Sequence, residues 1–321
     1  MNDTLLLGNG IIRAQNKELM LPGSLSWEDL LNEFADQAKV KITNIQNKPL
    51  PLVFEEIRLK SITQDDKGGQ LTYKLTNLLL QIPRNYLVDI YSSISKHILT
   101  TNYDSAISSG RGYRGITKQL FPSINEKYHS LFRHEAYIGR NIWSIHGHIR
   151  NPRSILLGHT QYAKYMGQVK DYLYKGIRFS NFKNKFQSTL LTKNPDFKFD
   201  ETGKIFSWID LYLRDHIHVV GFSMDFCENI LWWLTIEKMI LKNKYPKNIG
   251  GITFYTVSIL KNKKSLKELN VMEALNEFGV EIIEIESETY AKGYEKIADI
   301  LKPDIVSRCR NDDNAYINKN I

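Results

Sequence analysis

Four short apolar runs, each stopped by glycine or polar residues, constrain this chain more than any other feature. Thr4 to Leu7 runs into Gly8-Asn-Gly10, Ile98 to Thr100 into Thr101-Asn-Tyr-Asp104, and His218 to Val220 into Gly221-Phe-Ser-Met-Asp225, while Asn141 to His146 closes on His146-Gly-His148. Thr4 to Leu7 reads as a short strand entering a glycine turn, the opening of many nucleotide-binding folds, and the later three read as buried parallel strands. Ile252 to Val257 is a fifth, and Ile155 to Leu157 and Val280 to Ile285 are weaker candidates. Helix-length stretches lie between them. Ser26 caps Trp27-Glu-Asp-Leu-Leu and opens a helix to about Lys39; Leu71 to Leu80, Tyr86 to Ser95, Asp225 to Lys242 and Leu266 to Phe278 supply others. The alternation predicts an α/β fold with a doubly wound parallel sheet.

A chain of 321 residues accommodates one such domain with insertions. After Gly10 the chain is expected to turn into a polar loop around Arg13. Residues 40 to 95 read as a helical insertion, and 110 to 140 and 163 to 205 as polar, Lys- and Tyr-rich connections over the mouth of the sheet. Val306 to Ile321 reads as a polar tail. The net charge of +8 suits anionic ligands, but the lysine clusters at 242 to 247 and 261 to 267 look like solvated helix ends, so no direct nucleic-acid site is evident. Two cysteines, Cys227 and Cys309, can build neither a disulfide framework nor a four-cysteine zinc site. Reduced thiols, no leader segment and no apolar stretch of roughly 18 to 20 residues fit a cytoplasmic protein without a membrane span.

In an open α/β sheet, ligands bind beyond the carboxyl ends of the strands, so the polar residues there carry the chemistry. The Gly8-Asn9-Gly10 turn lacks the third glycine of a dehydrogenase fingerprint, since Arg13 stands in its place. It serves either as a phosphate cradle with Arg13 as a contact or as a tight turn with a surface arginine. Ser223 is no nucleophile of the Gly-x-Ser-x-Gly kind, because Asp225 replaces the second glycine and no histidine follows it; it either bonds a ligand or caps the next helix. His146 and His148 could bind a metal only with a third ligand that the spacing does not offer, and otherwise read as hydrogen-bonded histidines. Trp143, Trp232 and Trp233 read as core.

Taken in order, LLLGNGIIR (Leu5 to Arg13) with SWEDLL, LTTNYD (Leu99 to Asp104), SIHGHI (Ser144 to Ile149) with SILLGHTQY, and VVGFSMDFCENI (Val219 to Ile230) resemble the sirtuin superfamily over roughly residues 4 to 260. The nearest branch is the sirtuin-like NAD hydrolases of bacterial antiphage defence. The resemblance implies a Rossmann-like NAD-binding domain over 1–305, with helical insertions at about 27–95 and 163–205 and a tail at 306–321. It places the NAD phosphates at Gly8, Asn9, Gly10 and Arg13, the nicotinamide ribose near Asn102 and Asp104, the catalytic histidine at His146, and the adenosine side near Gly221 and Ser223, with Thr101 also among the expected NAD contacts. Asn102, His146 and Asp104 are the expected catalytic set. Sirtuin deacylases carry a four-cysteine zinc module that two cysteines cannot form, so a helical lobe without a zinc ribbon is expected and protein deacylation is disfavoured.

The chemistry agrees. Nicotinamide is already cationic in NAD and leaves as a neutral molecule through an oxocarbenium-like transition state, so the site needs negative charge, oriented dipoles and a placed water rather than a strong acid. The expected reaction is hydrolysis of NAD to nicotinamide and ADP-ribose, with NAD as substrate and no cofactor required. The competing expectation is a regulatory module that binds NAD or an ADP-ribose-type nucleotide without cleaving it. The resemblance also implies an effector that depletes NAD, controlled by homo-oligomerisation or by a defence partner such as a hexameric DNA-translocase ATPase or a short Argonaute.

Overall fold

Leu5, Leu6 and Leu7 cannot all face one way on a strand, because side chains alternate, so the run requires apolar cover on both sides. The fold supplies it. The computed structural model describes residues 2–21, 26–62, 76–77, 79, 82–107, 116–119, 129–137, 139–178, 187–188, 207–260, 262 and 264–302. Its strands are β1 (Asp3–Leu7), β2 (His97–Thr100), β3 (Ile116–Gln119), β4 (Arg133–Tyr137), β5 (Arg140–Ser144), β6 (His216–Val220), β7 (Ile252–Ile259) and β8 (Glu281–Ser287). They form one sheet in the order β3-β4-β5-β2-β1-β6-β7-β8. From β5 to β8 the strands are parallel, and β4 pairs antiparallel with both β3 and β5. The chain passes from β1 to β2 on one side and later returns to β6 on the other, so the switch point lies between β1 and β6.

The helices are α1 (Gly10–Glu18), α2 (Trp27–Gln37), α3 (Leu50–Ile62), α4 (Tyr86–Ile94), α5 (His159–Tyr174), α6 (Trp208–Arg214), α7 (Asn229–Lys244) and α8 (Leu266–Glu277), followed by α9 over 290–302. Leu6, Leu99, Trp143, Val219 and Phe254 face a core shared with α5, α6, α7 and α8. Leu5, Leu7, Ile98, Val220 and Tyr255 face the opposite core, with α1, α4 and α9. Each fully buried leucine contributes roughly 1.5–3 kcal/mol, so both faces are needed to hold β1 in the centre. A third cluster joins Phe34 of α2 and Val53, Phe54 and Ile57 of α3 to Ile149, Ile155 and Leu157. It packs α2 and α3 against the chain that leaves β5.

Several expectations change. The loop expected around Arg13 is the helix α1; Ile11 and Ile12 are fully buried, and Asn85 ties it to α4 by donating to the Ile12 carbonyl and to Asn16 Oδ1. Ile155 to Leu157 is completely buried yet forms no strand, because Leu156 points into the core beneath α5 while its neighbours point into the α2–α3 cluster. The sheet is not wholly parallel: the polar connection expected over 110 to 140 contains β3 and β4. The helix expected from Asp225 starts at Asn229. Around the expected Leu71 to Leu80 helix only 76, 77 and 79 are described, and most of 179–206 and all of 306–321 lie outside the described residues. Among the described residues, no helix is long and apolar enough to cross a membrane.

Candidate active site

Leu7 stands beside Thr100 on one side and Val220 on the other, and Thr100 stands beside Ser144. The four polar strand ends therefore open side by side on one edge of the sheet. At the switch point the Gly8 amide donates to the Val220 carbonyl (2.9 Å) and the Gly10 amide to the Gly221 carbonyl (2.7 Å). A Cβ on Gly10 would stand 2.7 Å from that oxygen and 2.6 Å from the Tyr294 hydroxyl, and one on Gly8 would collide with the Gly221 carbonyl. Gly221 itself sits at φ +66°, where a side chain is strained. The two glycine motifs are thus halves of one crossing. It starts α1 at the crevice, with the positive end of the helix dipole there. Asn9 occupies the N-cap position without capping, and its Oδ1 is buried with no hydrogen-bond partner. Arg13 lies one turn into α1, within electrostatic reach of Asp29, Tyr290 and Tyr294.

At the end of β2, the Thr100 hydroxyl donates to the Leu7 carbonyl (2.9 Å) and accepts from the Asn102 amide N–H (3.1 Å). The Thr101 N–H also donates to the Leu7 carbonyl. These bonds fix the backbone of Asn102, whose side chain is buried with neither Oδ1 nor Nδ2 hydrogen-bonded. Leaving a buried amide unmatched costs about 1–3 kcal/mol, and a bound ligand or water would complete it.

His146 is two residues beyond the end of β5, as Asn102 is beyond the end of β2. The Ile145 amide donates to the Thr100 carbonyl, and the His146 carbonyl accepts from the Leu156 amide (2.9 Å). Gly147 turns at φ +94°, with the Ser154 carbonyl filling the space of any Cβ. The imidazole is buried, edge-on to Tyr162 (centroids 5.6 Å apart), and its Nε2 is 3.4 Å from Glu228 Oε2. The Tyr162 hydroxyl is 3.5 Å from the same carboxylate oxygen. Burial lowers the His146 pKa to about 3. Burial, reinforced by the charge of Asp225, raises that of Glu228 to about 8. At neutral pH the pair therefore holds one proton on the glutamate and the ring is a neutral base.

The other expected residues are more spread out. Asp104 Oδ1 accepts from the Ala106 amide (2.8 Å), closing a turn, and burial raises its pKa to about 6. His148 does not share a partner with His146: its Nδ1 accepts from the Arg150 amide and its Nε2 is 3.5 Å from Ser105 Oγ. Among the described residues no three His, Cys, Asp or Glu side chains gather to hold a metal. Thr101 is half-buried on the same edge. Ser223 is exposed and does not cap α7, whose N-cap is Glu228. Asp225 instead accepts from the Cys227 amide (3.0 Å) and forms an ion pair with Lys267 of α8. Glu228, Tyr162 and Tyr294 are the neighbours that sequence reasoning missed. The first two lie inside quoted motifs, but nothing in their spacing marks them as partners.

No curated protein matches the chain. A family model described as the SIR2-like domain matches residues 96–196, a stretch that contains Asn102, Asp104, Tyr162 and His146 but not the glycine crossing. SIR2-like domains are in general NAD-dependent enzymes, so the match points to an NAD-related function. The match lies over the β2 and β5 strand ends of a Rossmann-like sheet, and it supports a sirtuin-like family for this part of the chain.

Proposed function

We propose that the protein is an NAD hydrolase that cleaves the bond between nicotinamide and ribose, releasing nicotinamide and ADP-ribose. One observation carries this reading: the Asn102 amide is buried and unpartnered on the edge it shares with a neutral His146. As the C1′–N bond breaks, its electron pair goes to the cationic ring, which leaves neutral, and positive charge develops on the sugar. Asn102 holds a water or ribose hydroxyl against that cation, and His146 accepts the hydroxyl proton as the new C1′–O bond forms. Asp104, with a pKa of about 6, is largely ionised at neutral pH and adds negative charge. The diphosphate lies at the start of α1 beside Gly8, Asn9, Gly10 and Arg13, with Thr101, Gly221 and Ser223 along the approach. NAD is the substrate, and the scheme uses no further cofactor.

Purified protein incubated with NAD, alone and with candidate partners, tests this by nicotinamide release. Asn102→Ala and His146→Ala are each expected to slow release by about 100-fold or more. Tight NAD binding without turnover in every condition would instead make the protein a nucleotide-binding module. The motif resemblance extends the proposal to a cytoplasmic effector of antiphage defence, restrained by oligomerisation or by an ATPase or Argonaute partner. Cellular NAD should then fall on phage infection in cells carrying the wild-type gene and stay level with His146→Ala.

A further inference from the structure

We propose, resting on the NAD-hydrolase reading, that Glu228 is the positioning residue of His146: its carboxylate accepts the ring Nε2–H and leaves the other ring nitrogen to take the substrate proton. Geometry carries this. Glu228 stands at the N-cap of α7, where a short polar side chain would ordinarily cap the helix, yet it makes no capping bond. Its Oε2 lies 3.4 Å from His146 Nε2 instead.

Its placement is fixed from several sides. The Glu228 amide donates to the Asp225 carbonyl (2.9 Å), and the Trp232 indole N–H donates to the same carbonyl (3.0 Å). Ile230, Leu231 and Leu234 bury the following helix in the core. Tyr162 closes the remaining side, with its ring edge against His146 and its hydroxyl toward Glu228. The arrangement matches what a histidine base requires: one ring nitrogen tied to a carboxylate, so that tautomer and orientation are set before substrate arrives.

The ionisable groups around Glu228 are His146 from the loop after β5, Tyr162 from α5, Tyr103 from the loop after β2, and Asp225 and Cys227 from its own loop. Burial pushes both tyrosines and the thiol upward, so they stay neutral. Burial works against the Asp225 charge, but Lys267 and the Cys227 amide outweigh it and hold the carboxyl below its ordinary value. The proton that leaves in the working range is then the one held by Glu228 and His146. Once it has gone, Glu228 is a carboxylate, and the proton taken from water or ribose during the reaction is shared between the ring and that carboxylate.

The test is kcat and KM against pH for wild type, Glu228→Gln and Glu228→Asp, read by nicotinamide release, with melting temperatures recorded alongside. Wild-type kcat should rise with pH through a midpoint near 8, the value to which Glu228 is raised. Glu228→Gln should lower kcat by roughly 100-fold with KM changed less than about threefold, and should lose that rise. Glu228→Asp should recover part of both. A Gln variant with wild-type kcat and pH profile overturns the proposal, as does an equal loss in both variants that follows their melting temperatures with the pH rise intact. Nitrogen-15 NMR of the His146 ring separates this from the activity reading. The ring hydrogen should sit on Nε2 in wild type above pH 8 and redistribute in Glu228→Gln; unchanged ring signals overturn the proposal even if the wild type releases no nicotinamide, an outcome that separately removes the hydrolase reading.

Discussion

The two ends of the sheet treat buried polar groups in opposite ways. At the amino end, Lys238 is completely buried and donates to the carbonyls of Tyr212 (2.9 Å), Leu213 (3.2 Å) and Asp215 (2.5 Å). Asp215 accepts from the Thr4 hydroxyl and from Arg214, and His218 joins Asp3 to Tyr255 through its two ring nitrogens. Among the described residues, the unmatched atoms there include Nδ1 of His97 and Nη2 of Arg214. At the carboxyl end a whole amide, Asn102, is left unmatched, together with Asn9 Oδ1. The same strands pass through both ends, so the difference does not come from burial. On the proposed function, it separates polar groups that close the fold from polar groups positioned for a ligand.

The strongest way to break that comparison is Asn102→Ala. If the amide serves a ligand, removing it raises the reaction barrier by roughly 3–4 kcal/mol, about 100- to 1,000-fold in rate. Stability should move by less than about 1 kcal/mol, because the lost packing is offset by relief of an unmatched amide. A large drop in melting temperature would place Asn102 with the structural groups. Lys238→Met is the mirror experiment. It strands three carbonyls and should cost about 2–4 kcal/mol in chemical denaturation, with kcat/KM unchanged for the folded fraction. Gly8→Ala falls between these classes, since its Cβ meets the Gly221 carbonyl and the Phe222 side chain. It should lose about 1–3 kcal/mol of stability and weaken NAD binding measured by calorimetry, which would make the glycine crossing both scaffold and cradle.

How far each end could be read from sequence follows the same division. Asn102 and His146 were legible because each interrupts an apolar strand, and an interruption is visible without knowing the neighbours. Strand β1 was legible in the apolar run Thr4 to Leu7, and the start of α2 in its Ser26–Asp29 capping box. Helix α1 was not, because only Ile11 and Ile12 anchor it and Ala14 to Glu18 are mostly polar; packing against α4 and α9 decides its state. Strand β4, Arg133-His-Glu-Ala-Tyr137, lacks the apolar run of a central strand because it lies toward the antiparallel margin of the sheet. Glu228 and Lys238 were invisible for a shared reason. Each sits on or beside α7 and meets its partners only after α7 packs on α5 and α6.

The smallest effects test the comparison through pH. The folded pKa of Glu228 is about 8, above its ordinary 4.5, so over that interval the native state holds a proton that the unfolded chain has released. The associated stability is fully present below about pH 4.5 and is lost as pH rises through 8. Lys238 runs the other way. Its folded pKa is about 7, below its ordinary 10.5, so the unfolded chain binds the extra proton, and the associated stability is present above 10.5 and lost as pH falls toward 7. Denaturation series at pH 5.5, 7 and 8.5 should therefore show Glu228→Gln removing a downward slope and, in a separate protein, Lys238→Met removing an upward one. If ligand binding is what the carboxyl end is built for, a non-hydrolysable NAD analogue should alter the slope tied to Glu228 and leave the slope tied to Lys238 as it was. Equal changes in both slopes would mean that the two ends respond as one body, and the division between them would fail.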